Sequence, residues 1–269
     1  MFNLFRTDLR RLFRTRSFYI VLCVTAALLL TMVATISAVT DQEKLDALQG
    51  TGMVVTGGDS EDMIELLRGM TRLEFLCECL GSGFLLMLAC IGVTLFVNGD
   101  FSSGCIKNIC FARPRRWEYV LSKIFITGLY SAIITILGVL VSLVCPILMG
   151  LHLEASSFAE ILQYAFWMWL PTWAFSLLGL ALVLLTRSST LGVIMAVVAG
   201  GGLVAALLQN LCQQFGWPNL AQYLLSMVVS SQCVPVPNMD QISMILGCSI
   251  GWTALYAAGS FIAMEKRDI

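Results

Sequence analysis

Six apolar stretches divide this chain, at 17–39, 79–97, 124–149, 161–185, 188–211 and 242–264, and none of them contains Asp, Glu, Lys, Arg or His. A helix needs about 20 mostly apolar residues to cross the hydrocarbon core of a bilayer. Each stretch meets that length, and only Thr186, Arg187 and Ser188 mark a tight turn between the fourth and the fifth. A soluble fold is excluded by the balance of surfaces. With 58% hydrophobic and 12% charged residues, the chain carries about half the charge of a soluble domain. The surplus apolar surface faces lipid, and an all-α membrane protein with six transmembrane helices is expected.

The charges between the stretches alternate in sign. Thirteen of the sixteen lysines and arginines fall in the N-terminal segment, in the loops after the second and fourth stretches, and at the chain end. Only Lys44, Arg68 and Arg72 fall on the other side, where Asp41, Glu43, Asp46, Asp59, Glu61, Asp62, Glu65 and Glu74 crowd the loop after the first stretch. Basic residues collect in cytoplasmic loops, so both termini are expected in the cytoplasm. The first apolar stretch is longer than the roughly 7–15 residues of a signal-peptide core and reads as an uncleaved span.

Residues 1–16 are more than a basic flank. On a helical wheel Phe2, Phe5, Leu9, Leu12 and Phe13 share one arc, Arg6, Arg10, Arg11 and Arg14 lie elsewhere, and Leu4 breaks the pattern. This predicts a helix in the inner interface with its arginines toward anionic headgroups. Two long segments belong to the outer side. Residues 40–72 hold Gly50, Gly52, Gly57 and Gly58, then a short surface helix over 61–72. Residues 213–241 hold an apolar run from Leu220 to Val229, too short to span, bounded by Pro218 and by Pro235 and Pro237. That pattern predicts an outer helical segment, interfacial or re-entrant, before the last span.

Several chemistries lack their residues. Ion-coupled carriers need ionisable groups at membrane depth; Glu74 and Glu78 sit at the outer end of the second stretch, within reach of water. His152 is the single histidine, so neither a histidine-rich metal site nor haem ligation is expected. No G-x-x-x-x-G-K-[ST] loop is present to hold a nucleotide phosphate. No enzyme active site and no cofactor on this chain are expected, and a net charge of −1 gives no reason to expect nucleic acid. Most of the cysteines lie in apolar runs as small hydrophobes. Cys212 and Cys233 flank the outer segment, and a bridge between them is open, with Cys77 and Cys79 as competing partners. Gly200, Gly201 and Gly202 mark either close helix packing, the commoner use, or a bend. Trp167, Trp169 and Trp173 suit interfacial anchoring, whereas Trp252 and Tyr256 share a face of the sixth stretch and are candidates for a substrate-facing surface.

The loop over 98–116 reads Asn98-Gly99-Asp100-Phe101-Ser102-Ser103-Gly104-Cys105-Ile106-Lys107-Asn108, then Arg113-Pro114-Arg115-Arg116, with Lys123 beyond. It resembles the acidic–aromatic–x–x–Gly–x–Ile–Lys–Asn element, followed by Arg or Pro-Arg and a Lys, of type-2 ABC transporter permeases, the membrane subunits of many bacterial exporters, including bacteriocin- and lantibiotic-immunity permeases. Cys105 stands where that family often has Thr. The basic amphipathic start, the six helices, the outer segment and the Glu265-Lys266-Arg267-Asp268-Ile269 ending resemble the same family. The resemblance implies a coupling loop, with Asp100, Phe101, Gly104, Lys107, Asn108, Arg115 and Arg116 docking on a separate ABC ATP-binding subunit that carries ATP and Mg. It also implies a second permease chain, in a homo- or heterodimer, in a bacterial plasma membrane. Uncharged walls favour an amphipathic or hydrophobic cargo, such as an antimicrobial peptide. Charge alone equally suits a topology-setting loop with no partner, and a membrane assembly or sensor protein is the alternative.

Overall fold

The computed structural model describes residues 2–40, 70–104, 116–151, 153–216 and 218–266. In chain order the helices are α1 (Phe2–Leu12), α2 (Arg16–Thr40), α3 (Arg72–Gly81), α4 (Phe84–Ser102), α5 (Arg116–Leu148), α6 (Phe158–Thr186), α7 (Ser189–Gly200), α8 (Leu203–Phe215), α9 (Leu225–Gln232) and α10 (Met239–Lys266), with a 3-10 turn at Leu220–Tyr223. No strand occurs among the described residues. Helices α2, α4, α5, α6 and α10 are each long and apolar enough to cross a membrane, and α7 with α8, apolar together and bent by 55° at their break, forms either a broken sixth span or a re-entrant pair. The chain is an all-α, multi-pass membrane protein.

Helix α6 is the centre of the bundle, packed against α4, α5, α7 and α10. It starts where Ser157 N donates to the Glu160 carboxylate at 3.3 Å, and stops where Arg187 turns left-handed (φ 56°) and its N–H returns to the Val183 carbonyl at 2.8 Å. Lipid tails are as apolar as leucine, so close approach of small residues has to hold such helices together. Thr94 of α4 supplies that contact. A Cβ on Gly179 of α6 would come to 2.5 Å from its Oγ1, and one on Gly192 of α7 to 2.6 Å from its Cγ2.

Three boundaries differ from those the hydropathy predicts. Residues 79–81 close the short helix α3, and the chain breaks at Ser82 and Gly83 (φ 74°), a conformation that glycine takes without steric cost. The second span therefore begins at Phe84 and takes in Asp100. Helix α5 begins at Arg116 and runs for 33 residues, so Lys123 lies about two turns inside it. The fifth apolar stretch is broken at Gly201 and Gly202 (φ 79°), so the glycine triplet bends the helix as well as packing it.

Other expectations meet the structure in part. The surface helix read over 61–72 lies outside the described residues as far as 69; Arg72 instead opens α3 behind a Thr71–Glu74 capping box. The run from Leu220 to Val229 is split between the 3-10 turn and α9, whose Leu225, Val228 and Val229 are buried in the core. Cys212 and Cys233 are both free and buried, so no bridge joins them, and Cys77 and Cys79 are free as well. Helix α1 is amphipathic, but Leu4, Phe5, Leu9 and Leu12 pack against protein, mainly α5, while Arg6, Arg10 and Arg14 are exposed. Leu4 does not break the pattern: with Leu12 it belongs to the row that faces the bundle.

Candidate functional site

Leu4 and Leu12 are each four residues from Asp8, so all three project from one face of α1. Asp8 enters the bundle with the leucines, and an isolated carboxylate there would carry a large desolvation cost. It is met by α5, where Tyr119, Ser122 and Lys123 share a face at helical spacing. Lys123 Nζ lies 2.8 Å from Asp8 Oδ1, and Ser122 Oγ donates to Asp8 Oδ2 at 2.8 Å. Helix α4 completes the group. Asp100 Oδ2 lies 2.6 Å from the same Lys123 Nζ and accepts the Tyr119 hydroxyl at 2.9 Å, while Asp100 Oδ1 pairs with an Arg11 guanidinium nitrogen at 2.7 Å. The ammonium also sits 4.7 Å from the Phe96 ring centre and 5.3 Å from that of Tyr119.

Two acids and two bases thus form a cluster of no net formal charge. Three of the four carboxylate oxygens take part in hydrogen bonds, and Asp100 Oδ1 meets the Arg11 guanidinium as an ion pair without hydrogen-bond geometry. Asp8, Asp100 and Lys123 are buried; only Arg11 reaches solvent. Both carboxylates are occupied by cations of the chain itself, so the arrangement is a clasp between three helices and not a metal site or a proton donor pair. A buried network of this kind adds little net stability over apolar packing, but it fixes one arrangement of the helices it joins. The clasp joins the helices on either side of residues 105–115, which lie outside the described residues: Asp100 is on α4, and Lys123 on α5.

The residues expected to form a docking surface are distributed differently. Asp100 points into the bundle, and Phe101 is half-buried against the core. Gly104 lies just past α4 in the left-handed region (φ 66°), its N–H on the Phe101 carbonyl at 3.1 Å, and a Cβ added there would meet nothing within 4 Å. Lys107, Asn108 and Arg115 lie outside the described residues; Arg116 opens α5. Trp252 lines a groove of about 690 Å³ along α10 with Gly247, Gly251 and Tyr223. Its indole N–H is spent on the Tyr223 carbonyl at 2.8 Å, which ties the 3-10 turn to α10. Tyr256 stacks on Trp252 at 5.4 Å but is turned toward the core and does not line that groove.

Asp8, Ser122, Tyr119 and Phe96 were not singled out by sequence reasoning. One signal was present: Asp8 is the lone acid among the arginines of the first segment, flanked at i±4 by leucines. No protein-family model and no curated protein matches the chain.

Proposed function

We propose that the chain is the membrane-spanning subunit of an ATP-driven exporter of the type-2 ABC permease kind, driven by a separate ATP-binding subunit. The observation that carries this reading is the clasp between the two helices that flank residues 105–115. A push on α4 or α5 from the cytoplasmic side reaches α4, α5 and α1 together, because Asp100, Lys123 and Asp8 share one ion cluster. In this reading the partner holds ATP and Mg, a second permease chain completes the path, both termini are cytoplasmic in a bacterial plasma membrane, and the cargo is amphipathic or hydrophobic.

Gly104 is the place to test it. Space around it is open, so a side chain there meets a partner before it meets its own chain. Its left-handed backbone disfavours any bulky residue, whereas Asn tolerates that conformation. Gly104→Asn is therefore the control for Gly104→Trp. The Asn variant is expected to bind the ATPase subunit and hydrolyse ATP at near wild-type rates. The Trp variant is expected to insert normally, to bind at least tenfold more weakly and to lose cargo-stimulated hydrolysis in proteoliposomes. A Gly104→Trp complex that binds and transports like wild type refutes the coupling role. Robust hydrolysis by the isolated chain refutes the two-subunit reading.

A further inference from the structure

The two helix breaks inside the bundle touch each other. A Cβ added to Gly83, at the start of α4, would lie 2.8 Å from the carbonyl oxygen of Gly200, the last residue of α7. A Cβ on Gly200 would in turn lie 3.0 Å from Met87 Cβ and 3.2 Å from Met87 Cα. Gly83 thus lies directly against the backbone of α7, and Gly200 against the root of the Met87 side chain. Neither break is capped by a side chain, and each helix resumes its ladder at once: Met87 N donates to Gly83 O at 3.2 Å, and Ala206 N to Gly202 O at 2.9 Å. Bending at either point therefore disturbs few hydrogen bonds.

The two arms of the α7–α8 break are held unequally. Helix α7 is fixed to α4 and α6, with Gly192 seated on Thr94. Helix α8 makes its main contacts with α7 and the 3-10 turn, and it exposes Leu203, Leu207, Leu211 and Phe215. The 3-10 turn is itself fastened to α10 by the Trp252 indole on the Tyr223 carbonyl. Beside the paired breaks lies a groove of about 370 Å³ between α2, α4 and α7, lined by Leu28, Met32, Ser82, Met87, Gly200 and Gly201.

We propose that Gly201 and Gly202 form a hinge, that the end of α7 bears on the space left at Gly83, and that α8 swings on this hinge relative to the fixed α7. Trp252 is the latch: it holds the turn against which the tip of α8 rests. The device depends on the fold alone and stands whether or not an ATPase drives the chain.

The test is a distance measurement by electron paramagnetic resonance on the full chain in lipid nanodiscs. Spin labels are carried on genetically encoded keto residues at Leu162 of α6 and Leu211 of α8, both exposed, so that the native cysteines stay in place. Leu211 lies about 14 Å beyond the break at 1.5 Å per residue, so taking up or losing a 55° bend moves it on the order of 10 Å. Wild type is expected to show two populations separated by that order. Trp252→Phe, which deletes the latch hydrogen bond and keeps a ring, is expected to shift their ratio several-fold. Replacing Gly201 and Gly202 together by Ala, which favours a continuous helix, is expected to leave one population. Gly202→Asn, which tolerates the left-handed backbone, is expected to keep both. A single narrow distance in wild type that Trp252→Phe leaves unchanged overturns the hinge, and that arm does not depend on the alanine pair folding. Two populations surviving in a folded alanine-pair variant overturn it equally.

Discussion

Helix α6 keeps 67% of its apolar window inside the bundle, whereas α10 keeps 17%. Both are long and contain glycine, and α6 is the more apolar of the two. Apolarity does not set burial, however, since α2 is more apolar than either and keeps only 22% inside. The glycines separate α6 from α10. A Cβ on Gly179 of α6 would press on Thr94 Oγ1 at 2.5 Å and on the Cys90 carbonyl oxygen at 3.0 Å, while Gly247, Gly251 and Gly259 of α10 have nothing within 4 Å. In water, burial would follow apolarity; in lipid, a helix is central because its surface is shaped to another helix. The charged residues divide in the same way. Asp8, Asp100 and Lys123 are locked inside, whereas Arg6, Arg10 and Arg14 are free to face headgroups.

That contrast is most severely tested at Lys123. Lys123→Met leaves two buried carboxylates facing one partly exposed arginine, and removal of one partner from a buried ion pair costs about 3–5 kcal/mol. Thermal unfolding in detergent, followed by tryptophan fluorescence, is expected to drop accordingly, with α1 detached first. Arg10→Met, at an exposed position of the same charge, is expected to stay within about 0.5 kcal/mol of wild type. Adding Asp8→Asn to Lys123→Met is expected to recover much of the loss, since Asp100 and Arg11 then remain as a neutral pair. A Lys123→Met protein that melts with wild type removes the clasp.

The glycines test the comparison on a smaller scale. Gly179→Ala forces a methyl against the backbone of α4 and is expected to cost about 1–3 kcal/mol. Gly251→Ala meets open space and is expected to be neutral or to stabilise α10 by up to about 1 kcal/mol, the helix-propensity gain of alanine over glycine. Equal effects at the two sites would mean that α10 is covered as tightly as α6.

The spans were legible in the sequence because every backbone N–H in a bilayer must be satisfied within its own helix, which makes each crossing a continuous apolar run. The ends were not, for one physical reason. Asp100 and Lys123 look like loop residues when each is read alone, since a lone charge cannot lie inside the bundle. The partner that admits Lys123 is Asp8, 115 residues away. No local window contains both, and so hydropathy ends the second span at 97 and starts the third at 124. The glycine triplet failed differently: packing and bending were weighed as rivals, and neighbouring residues do one each, with Gly200 packed on Met87 and Gly202 turned left-handed.

Acid separates two helix starts that lie twelve residues apart. Helix α3 is opened by a carboxylate: Glu74 Oε2 accepts the Thr71 N–H at 2.8 Å and the Thr71 hydroxyl at 3.0 Å, while Thr71 Oγ1 accepts the Glu74 N–H at 3.2 Å. Helix α4 is opened by Gly83 with no side-chain cap. The backbone hydrogen bond from Thr71, seconded by its hydroxyl, holds the Glu74 carboxyl below its ordinary 4.5. A carboxylate depressed by folding contributes stability that is present above the unfolded value and is lost as pH falls through the folded one. Exchange protection of the Thr71 and Glu74 amides, corrected for the intrinsic rate, is therefore expected to fall a few-fold as the sample is taken from pH 6 to pH 3, while that of Met87, whose N–H is bonded to the Gly83 carbonyl at 3.2 Å, holds steady. Glu74→Gln retains an acceptor without a titrating group, so its profile is expected to be flat across the same window. This is the smallest effect of the set, because Glu74 is exposed and its cap competes with water. Equal loss of protection at both helix starts would show that acid loosens the bundle as a whole, and the capping box would then have no separate part in fixing where α3 begins.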